Sequence, residues 1–369
     1  MVPGSRYNTD NLFVRAFPAP TYLTTPAVGI DISDYAIKHI KIGRKHPHFH
    51  LESHGRIDLP LGVVERGEIA EPETVSKLLQ RIRSEYSYDY VHMALPEERA
   101  YLFQMDVPVG TRSEVEQVIE FHLKENVPLG ANEAYFDYNV LEQHHNKCRI
   151  NVSVYPAAIV DQYVAVVEAA GLNLLSIEIE GQATARALLS HTHLEPTLIV
   201  DVGRTQASVS MSTNGEVTFT ASLETGGDIF TRAIARSLDL SFQEAEKLKR
   251  DHGFRDTEES AMVYDAIRPA IVELKEAINK HFMYWQMHAT STGIEEGDVS
   301  RVILVGGNAN MIGLPEYLEA ALEVPVVVGN VWTNIFSFNG YLPDMHHNES
   351  LEFATAAGLA LRSLLRSST

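Results

Sequence analysis

The stretch Val28-Gly-Ile-Asp-Ile-Ser33 is apolar apart from one carboxylate, and the alternating run Ala36-Ile-Lys-His-Ile-Lys-Ile42 follows it at once. The same order returns at Thr197-Leu-Ile-Val-Asp-Val-Gly203, which precedes Ala207-Ser-Val-Ser-Met211. In each copy an apolar strand carrying one Asp leads through a tight turn into a strand of alternating polarity. Two such copies predict a duplicated α/β architecture with one site between its halves.

The hydrophobic pattern outward from the two copies predicts the remaining elements of each half. Around the first copy it predicts a third strand near 48–52, a helix over 73–86 and a buried strand over 90–95. Around the second it predicts a strand over 216–220, helices over about 227–251 and 258–291, and a strand over 301–305 that ends at Gly306 and Gly307.

A different unit, at about 97–178, lies between the copies. Its pattern predicts strands over 100–107, 134–143, 149–154 and 174–180, with helices over 113–126 and 157–170. The second of these helices ends at Gly171, the residue type expected just past a helix C-terminus. We expect a small inserted α+β module. Residues 1–25 carry four Gly or Pro residues among polar ones, which predicts an extension outside the folded core.

Composition limits the class of protein. The 369 residues include 30 Lys or Arg and 49 Asp or Glu, a formal charge of −19, with 45% hydrophobic and 21% charged residues. This is the composition of a globular protein of two or three domains, and its negative charge repels a phosphate backbone, so nucleic acid is not an expected partner. A single cysteine, Cys148, excludes a disulfide-stapled scaffold and fits a cytosolic, reducing compartment.

No segment has the features of a membrane span or a leader peptide. No window approaches about 18 uninterrupted apolar residues, and the start has neither a basic region nor a compact apolar one. The final stretch, 358–366, is mildly amphipathic, and we expect it to close a domain as a packed helix. Direct membrane insertion is therefore not expected.

Asp31 and Asp201, at the ends of their strands, are suited to a Mg²⁺·nucleotide site. Such a site needs hard oxygen ligands for the metal and backbone N–H groups that face phosphate oxygens. For either Asp alone, a side-chain cap of the turn is the simpler reading. Lys38 could reach a phosphate from the second strand, or it could be an ordinary exposed lysine.

Two glycine pairs are candidates for close approach of the backbone to a ligand. Gly306 and Gly307 follow an apolar strand and precede an expected helix near 311–318, although plain strand-to-helix turns also use glycine. In Thr225-Gly-Gly-Asp228, the outer residues could instead form a capping box. Other chemistries are poorly supported, because the sixteen histidines lack metal-ligand spacing, no G-x-S-x-G occurs and Cys148 falls in an expected hairpin loop.

These residues resemble known motifs. Val28-Gly-Ile-Asp-Ile-Ser-Asp-Tyr-Ala-Ile-Lys38 resembles the first phosphate motif of the actin/Hsp70/hexokinase-type ATPases, Leu198-Ile-Val-Asp-Val-Gly203 the second, and Ile303-Leu-Val-Gly-Gly307 the adenosine motif. A closer likeness, over 26–366, is to the PilM family, the actin-like components of type IV pilus machines, which are related to FtsA. The segments that carry it are 114–128, 137–141, 177–188, 226–228 and 245–249.

The resemblance implies an actin-like ATPase fold of the α/β class, with two RNase H-like subdomains around a nucleotide cleft and an inserted SHS2-type subdomain. The implied boundaries are 1–25 for the extension, 26–96 with 179–195 and 350–369 for the first subdomain, 97–178 for the insert and 196–349 for the second subdomain.

The resemblance also implies roles for residues. Asp31 and Asp201 would organise Mg²⁺, and Glu180 would lie near the attacking water, which together give the catalytic set. The residues implied to bind ATP are Ser33, Lys38, Gly203, Thr205, Gly226, Gly227, Glu246, Lys249, Gly306, Gly307 and Asn308.

Three departures from the family pattern favour nucleotide binding over efficient hydrolysis. Ser33 stands where Gly is usual, Glu178 where Asp is usual, and Arg204 where a small residue is common. If Ser33 needs a glycine-like backbone, phosphate affinity falls. Arg204 would either bind phosphate or occupy the pocket.

The function that the resemblance implies is a cytoplasmic ATP-binding scaffold, at most a slow ATPase. It would be peripheral to the inner membrane by holding the N-terminal tail of a PilN-like membrane protein, with other pilus platform proteins as further partners. The alternatives are an FtsA-like filament or cell-division protein and a sugar-kinase-type phosphotransferase.

Overall fold

The computed structural model describes residues 27–45, 48–190, 193–291, 298–336 and 340–366. The predicted extension, 1–25, lies outside the described residues. The described chain divides into two compact units. One comprises the described residues up to Ala187 with those of 334–343 and those from Thr355 onward. The other comprises the described residues of 188–333 with 344–354.

Fifteen strands are present in the described residues. They are β1 (Val28–Ile32), β2 (Ala36–Lys45), β3 (His48–Asp58), β4 (Val64–Glu65), β5 (Glu68–Ile69), β6 (Tyr90–Leu95), β7 (Tyr101–Pro108), β8 (Ala134–Gln143), β9 (Lys147–Pro156), β10 (Asn173–Ile179), β11 (Thr197–Val202), β12 (Ala207–Thr213), β13 (Glu216–Leu223), β14 (Arg301–Val305) and β15 (Val326–Val328).

The same residues form ten α-helices. They are α1 (Pro72–Tyr86), α2 (Arg112–Asn126), α3 (Ala157–Ala169), α4 (Glu180–Leu188), α5 (Gly227–Leu238), α6 (Phe242–His252), α7 (Ala261–Ser291), α8 (Leu314–Leu322), α9 (His347–Ser350) and α10 (Ala354–Arg366). None of them is long and apolar enough to cross a membrane.

The first unit is built on a five-stranded sheet of order β10-β6-β1-β2-β3. Strand β1 is buried along its whole length because it lies at the centre, antiparallel to β2 and parallel to β6. Helix α1 contributes Val75, Leu79 and Ile82 to the core over this sheet. The predicted strand meander is therefore confirmed. It places the turn after Asp31 at the carboxyl end of the central strand.

A separate three-stranded sheet of order β7-β9-β8 belongs to the same unit. Helix α2 packs on it through Val115, Ile119 and Leu123, which form a second core with residues of β9. A capping box starts α2, because the Thr111 side chain accepts from the Glu114 N–H while the Glu114 carboxylate accepts from the Thr111 N–H. Cys148 is buried on β9, so its predicted place in a hairpin loop is wrong.

Helix α3 and strand β10 lie with the five-stranded sheet, although the sequence pattern grouped them with the inserted module. Strand β10 pairs in parallel with β6. Helix α3 places Tyr163 and Val167 in the core of that sheet. The chain therefore returns from the three-stranded sheet to the larger one at the end of β9.

The second unit repeats the strand plan of the first. Its sheet has the order β13-β12-β11-β14-β15, in which β11 is antiparallel to β12 and parallel to β14. Position by position, β11 corresponds to β1, β12 to β2 and β14 to β6. The duplicated α/β architecture predicted from the sequence is confirmed.

The helical region predicted over about 227–251 is two helices. Helix α5 ends at Leu238, and its C-cap, Asp239, has a left-handed φ of 54°. Helix α6 starts after Ser241, which forms a second capping box with Glu244. A left-handed residue ends the first helix and the serine cap begins the next, so the chain changes direction between them.

Helix α10 closes the first unit, as predicted for the end of the chain. Side chains at Gly29 of β1 and Gly358 of α10 would overlap with the backbones of α10 and α4, so glycine permits these elements to touch. Glu178 pairs with Arg186 through two 2.6 Å hydrogen bonds and also accepts from Arg362 of α10. Burial alone would raise the pKa of Glu178, but the hydrogen bonds and charges of the two arginines hold it below its usual value.

Candidate functional site

Asp31 and Lys38 face each other across the β1–β2 pair of the first unit. The Lys38 Nζ lies 3.2 Å from the Asp31 Oδ2, and only 15% and 7% of the two side chains are exposed. Lys38 is therefore not an ordinary exposed lysine, because its ammonium is held beside a buried carboxylate. The antiparallel register fixes this pair before any ligand binds.

The turn after Asp31 is closed by Ser33. Its N–H and its hydroxyl both donate to the Ala36 carbonyl, at 3.0 and 3.1 Å. The φ of Ser33 is not positive, so this turn does not need the left-handed freedom of glycine. The next residue, Asp34, accepts from the N–H groups of Arg66 and Gly67, both at 3.1 Å.

Glu180 is the first residue of α4, directly after β10, and it is half-buried. Its charge acts on two tyrosines of the first unit, Tyr155 and Tyr163, whose pKa values are raised first by burial and then by nearby carboxylates. Both phenols are therefore protonated across the physiological range. Glu180 thus lies in an acidic region.

A further member of that region, Glu98, was missed from the sequence. Burial, and after it the charges of Asp34 and Glu97, raise the pKa of Glu98 to about 7. The sequence does contain a sign of this site, because Glu97 and Glu98 closely follow the apolar strand β6, and a carboxylate near the end of an apolar strand is also the pattern of Asp31. The burial that shifts the pKa could not be seen in that signal.

In the second unit, the turn after β11 packs against the start of α5. The Gly203 carbonyl accepts from the Gly227 N–H at 3.0 Å, and the Arg204 carbonyl accepts from the Asp228 N–H at 2.8 Å. A Cβ on Gly226 would overlap with the Thr205 carbonyl, so a glycine is required there. The second phosphate motif and the predicted ligand-binding glycine pair at 226–227 are thus joined by backbone hydrogen bonds.

The side chains of Asn308 and Lys249 add hydrogen bonds to the contact between the turn after β11 and the start of α5. The Asn308 amide donates to the Gly203 carbonyl at 2.8 Å and accepts from the Lys249 Nζ at 2.9 Å. The Lys249 Nζ also donates to the Gly227 carbonyl at 3.2 Å and pairs with Glu246 at 2.9 Å. Burial lowers the pKa of Lys249 and the Glu246 charge opposes that shift. Because only 5% of Lys249 is exposed, we expect it to hold Asn308 and the Gly227 carbonyl in position from the buried side of the site.

Asp201, one residue before the end of β11, lies against Gly306. A Cβ on Gly306 would overlap with the Asp201 carboxylate, and the φ of Gly306 is 91°, which disfavours any other residue. A Cβ on Gly307 would instead meet open space. The predicted helix after this pair begins only at Leu314, with Gly313 as its N-cap, so Gly306 and Gly307 lie in a turn and not at a helix N-terminus.

The possible capping box of Thr225 and Asp228 does not form. Gly226 is the N-cap of α5, without a side-chain hydrogen bond. Asp228 instead accepts from Arg204 at 3.0 Å and from Arg232 at 3.3 Å. The guanidinium of Arg204 is thus held at the start of α5 by Asp228.

The candidate residues therefore form one set in each unit. The set of the first unit is Asp31, Ser33, Lys38 and Glu180. The set of the second is Asp201, Gly203, Thr205, Gly226, Gly227, Glu246, Lys249, Gly306, Gly307 and Asn308. Within the described ranges, no group of three or more His, Cys, Asp or Glu side chains is arranged to hold a metal ion.

Comparison with known proteins gives the family. The model of the family "Type IV pilus assembly protein PilM" matches residues 29–364. Ethanolamine utilization protein EutJ of Escherichia coli (strain K12) is 27% identical over 153 residues, which are 42% of this chain and 47% of that protein. The chain spans about half the length of the curated relatives it matches.

Two solved structures share the fold. A PilM-PilN type IV pilus biogenesis complex superposes with a TM-score of 0.76 at 23% identity, covering 92% of this chain and 99% of that one. MreB5 of Spiroplasma citri bound to ADP gives 0.57 at 12% identity, covering 93% and 98%. The fold is that of the actin-like ATPases. Because the family model matches nearly the whole chain, the chain belongs to the family of the type IV pilus assembly protein PilM.

Proposed function

We propose that this chain is a nucleotide-binding scaffold of the type IV pilus assembly platform. The observation that carries the proposal is the family match over 29–364, which includes the two five-stranded sheets and the three-stranded sheet of the first unit. The partner we propose is the N-terminal tail of a PilN-like inner-membrane protein. The likeness to a PilM-PilN complex supports this choice.

We propose Mg·ATP as the nucleotide, and the residues present fit it. Gly306 leaves no room for a side chain beside the Asp201 carboxylate, a Cβ on Gly307 would enter open space where a ligand could approach the backbone, and Lys38 supplies a cation close to Asp31. Asp31 and Asp201 would supply hard oxygen ligands of the kind that Mg²⁺ prefers, and Mg²⁺ would neutralise part of the phosphate charge. Glu246 and Lys249 would hold the adenosine side. The structure of an ADP-bound neighbour, MreB5, supports a nucleotide as ligand.

We propose binding as the main role of the nucleotide, with slow hydrolysis at most. Asp31 is already paired with Lys38, and Glu180 lies in an acidic region that includes Glu98. A carboxylate that must take a proton from water works best when its pKa is tuned and its position is fixed on the reacting oxygen. The scaffold would then respond to the binding of nucleotide more than to its hydrolysis.

The proposed surface for the partner's tail is on the three-stranded sheet and its helix. Phe121 of α2 is 77% exposed, and Val140 of β8, which pairs with Ile150 on the face that α2 covers, is 44% exposed. Large apolar side chains exposed on one module are typical of a contact surface for another protein. The net charge of −19 disfavours anionic lipid, so a partner would provide the attachment to the membrane.

A pull-down tests the scaffold. A synthetic peptide with the sequence of the partner's cytoplasmic tail is immobilised and offered the chain with and without Mg·ATP, beside a scrambled peptide. We expect capture by the tail and none by the scramble. If the tail captures nothing under either condition, the scaffold proposal is wrong.

Matched variants place the contact. Phe121→Ser should abolish capture, because it removes an apolar anchor from the proposed surface. Leu342→Ser is the control, since Leu342 is 75% exposed but lies outside the three-stranded module. Equal capture by both variants would move the contact to another surface.

A further inference from the structure

Arg204, Asp228 and Arg232 form a three-residue cluster at the start of α5. The Arg204 Nε lies 3.0 Å from one oxygen of Asp228, and the Arg232 guanidinium lies 3.3 Å from the other oxygen. The Asp228 side chain is 9% exposed, whereas those of Arg204 and Arg232 are 48% and 53% exposed. One buried carboxylate is thus shared by two half-exposed cations.

The backbone of Arg204 is fixed while its guanidinium is accessible. Its carbonyl accepts from the Asp228 N–H, and the preceding residue, Gly203, is bonded to both Gly227 and Asn308. Arg204 therefore projects from a rigid turn, and that turn is the one to which we assign phosphate binding. Rotation about side-chain bonds is enough to redirect the guanidinium.

Because two arginines share Asp228, its charge stays compensated when one of them turns away. A buried carboxylate that loses its only cation becomes an uncompensated charge, which is strongly destabilising. If Arg204 turns away, Arg232 still pairs with Asp228 across one turn of the helix. The cluster can therefore release Arg204 and keep its buried charge compensated.

Lys249, the basic residue among the candidate site residues of the second unit, is already engaged with other groups of that unit. The Lys249 Nζ is buried against Glu246, Asn308 and the Gly227 carbonyl. ATP brings about four negative charges into a chain whose net charge is −19, and its binding needs local cations. Arg204 places a cation on the turn after β11 of the second unit.

We propose that Arg204 is a phosphate-recognition residue of this chain and that Asp228 holds its guanidinium until a nucleotide arrives. The ligand is the polyphosphate of a nucleoside di- or triphosphate, for which a planar guanidinium is well suited. This inference rests on the proposed nucleotide-binding function. It also gives a physical reason for an arginine where the family pattern has a small residue.

Calorimetric titration of the full chain with Mg·ATP, Mg·ADP and adenosine tests the proposal. Arg204→Gln should weaken ATP and ADP by about tenfold or more, the usual effect of losing one charge-assisted hydrogen bond, and should leave adenosine within about twofold. Arg236→Gln is the matched control, since Arg236 is an exposed arginine of the same helix about two turns beyond Asp228. It should change all three affinities by less than about threefold.

A double-mutant cycle examines the holding role. Asp228→Asn should tighten ATP several-fold in the wild-type background and not in the Arg204→Gln background, because only the former has an arginine to release. If Asp228→Asn does not fold, Arg204→Lys keeps the charge without the planar fork and should bind ATP with intermediate affinity.

The outcomes separate the two proposals. An unchanged ATP affinity in Arg204→Gln, or an equal loss for adenosine, overturns the recognition role while the nucleotide-binding function stands. If wild type binds neither ATP nor adenosine, the nucleotide-binding function fails and the role of Arg204 fails with it.

Discussion

The turns after β1 and β11 occupy the same place in two sheets of the same plan, yet their chemistry differs. Opposite Asp31 on the neighbouring strand stands Lys38, whereas opposite Asp201 stands Ser208. The first unit therefore places its cation inside the strand pair. The second takes its cations from the turn and from α6, and places Gly306 against its carboxylate.

This difference shows which properties a duplicated fold keeps. Strand order and register are set by the burial of β1 and β11, so both carboxylates come to the same kind of sheet edge. The residue at the facing register position is free to change, and it decides whether the carboxylate is paired before ligand binds. We expect the two halves to respond differently to the same substitution.

The largest expected effect comes from the two carboxylates. Asp201→Ala should abolish Mg-dependent ATP binding, at least a hundredfold loss, and leave the fold intact, because Asp201 is half-buried beside Gly306. Asp31→Ala should also reduce stability, because it leaves the Lys38 ammonium buried without its carboxylate. Calorimetry and thermal melts measure both. Equal ATP affinity in Asp201→Ala and wild type would show that the site is misassigned.

The glycine pair gives the next effect. Gly306→Ala should lower the free energy of unfolding by about 2–4 kcal/mol, because it combines a positive φ with overlap against Asp201. Gly307→Ala, whose Cβ meets open space, should change stability by less than about 0.5 kcal/mol and act only on nucleotide affinity. Urea melts with and without ATP separate the two. Similar melts for both variants would contradict the close contact of Gly306 with Asp201.

Glu98 provides a pH test confined to the first unit. Its folded pKa of about 7 lies above the unfolded value of 4.5, so the folded state binds the proton more tightly. Its contribution to stability is present below about pH 4.5 and is lost as pH rises to about 7. Glu98→Gln should therefore stabilise the chain by about 1–3 kcal/mol at pH 8, with a smaller gain at pH 5. A pH-independent difference in melting would contradict this assignment.

The smallest expected effect comes from the helix capping boxes, which occur in both units and have no assigned role in ligand binding. They show how far ATP affinity follows stability alone. Thr111→Ala at the start of α2 and Ser241→Ala at the start of α6 each remove a capping box. Each should cost about 1 kcal/mol of stability and leave ATP affinity unchanged. Thermal melts beside titrations check this. A change in ATP affinity for either variant would mean that affinity simply follows stability here.

Periodicity was enough to predict most of the strands, the meander at the start of the first unit and most helix ends. Asp31 and Asp201 were found because an apolar strand with one carboxylate, followed by an alternating strand, is a local pattern that survives into the structure. The break between α5 and α6 could also have been found, since Ser241 and Glu244 have the spacing of a capping box. It was missed because the hydrophobic period continues across it.

The remaining features depend on distances that no local pattern contains. Whether Asp228 caps α5 or binds two arginines is decided by where the turn at Arg204 comes to lie. The pKa of Glu98 depends on burial and on Asp34, which is far away in sequence. The place of Cys148 inside β9 followed from a strand that is longer at its start than the pattern predicted.

The contact of β1 with helix α10 has a consequence for synthesis of the chain. Gly29 is made early, and the helix that packs against it, containing Ala356 and Ala360, is made long afterwards. The side of β1 that contacts α10 therefore stays uncovered while the rest of the chain is made, and the first unit is completed only after the second has been translated. We expect nascent chains halted before α10 to bind chaperones, and the cell to discard shortened products as unfinished.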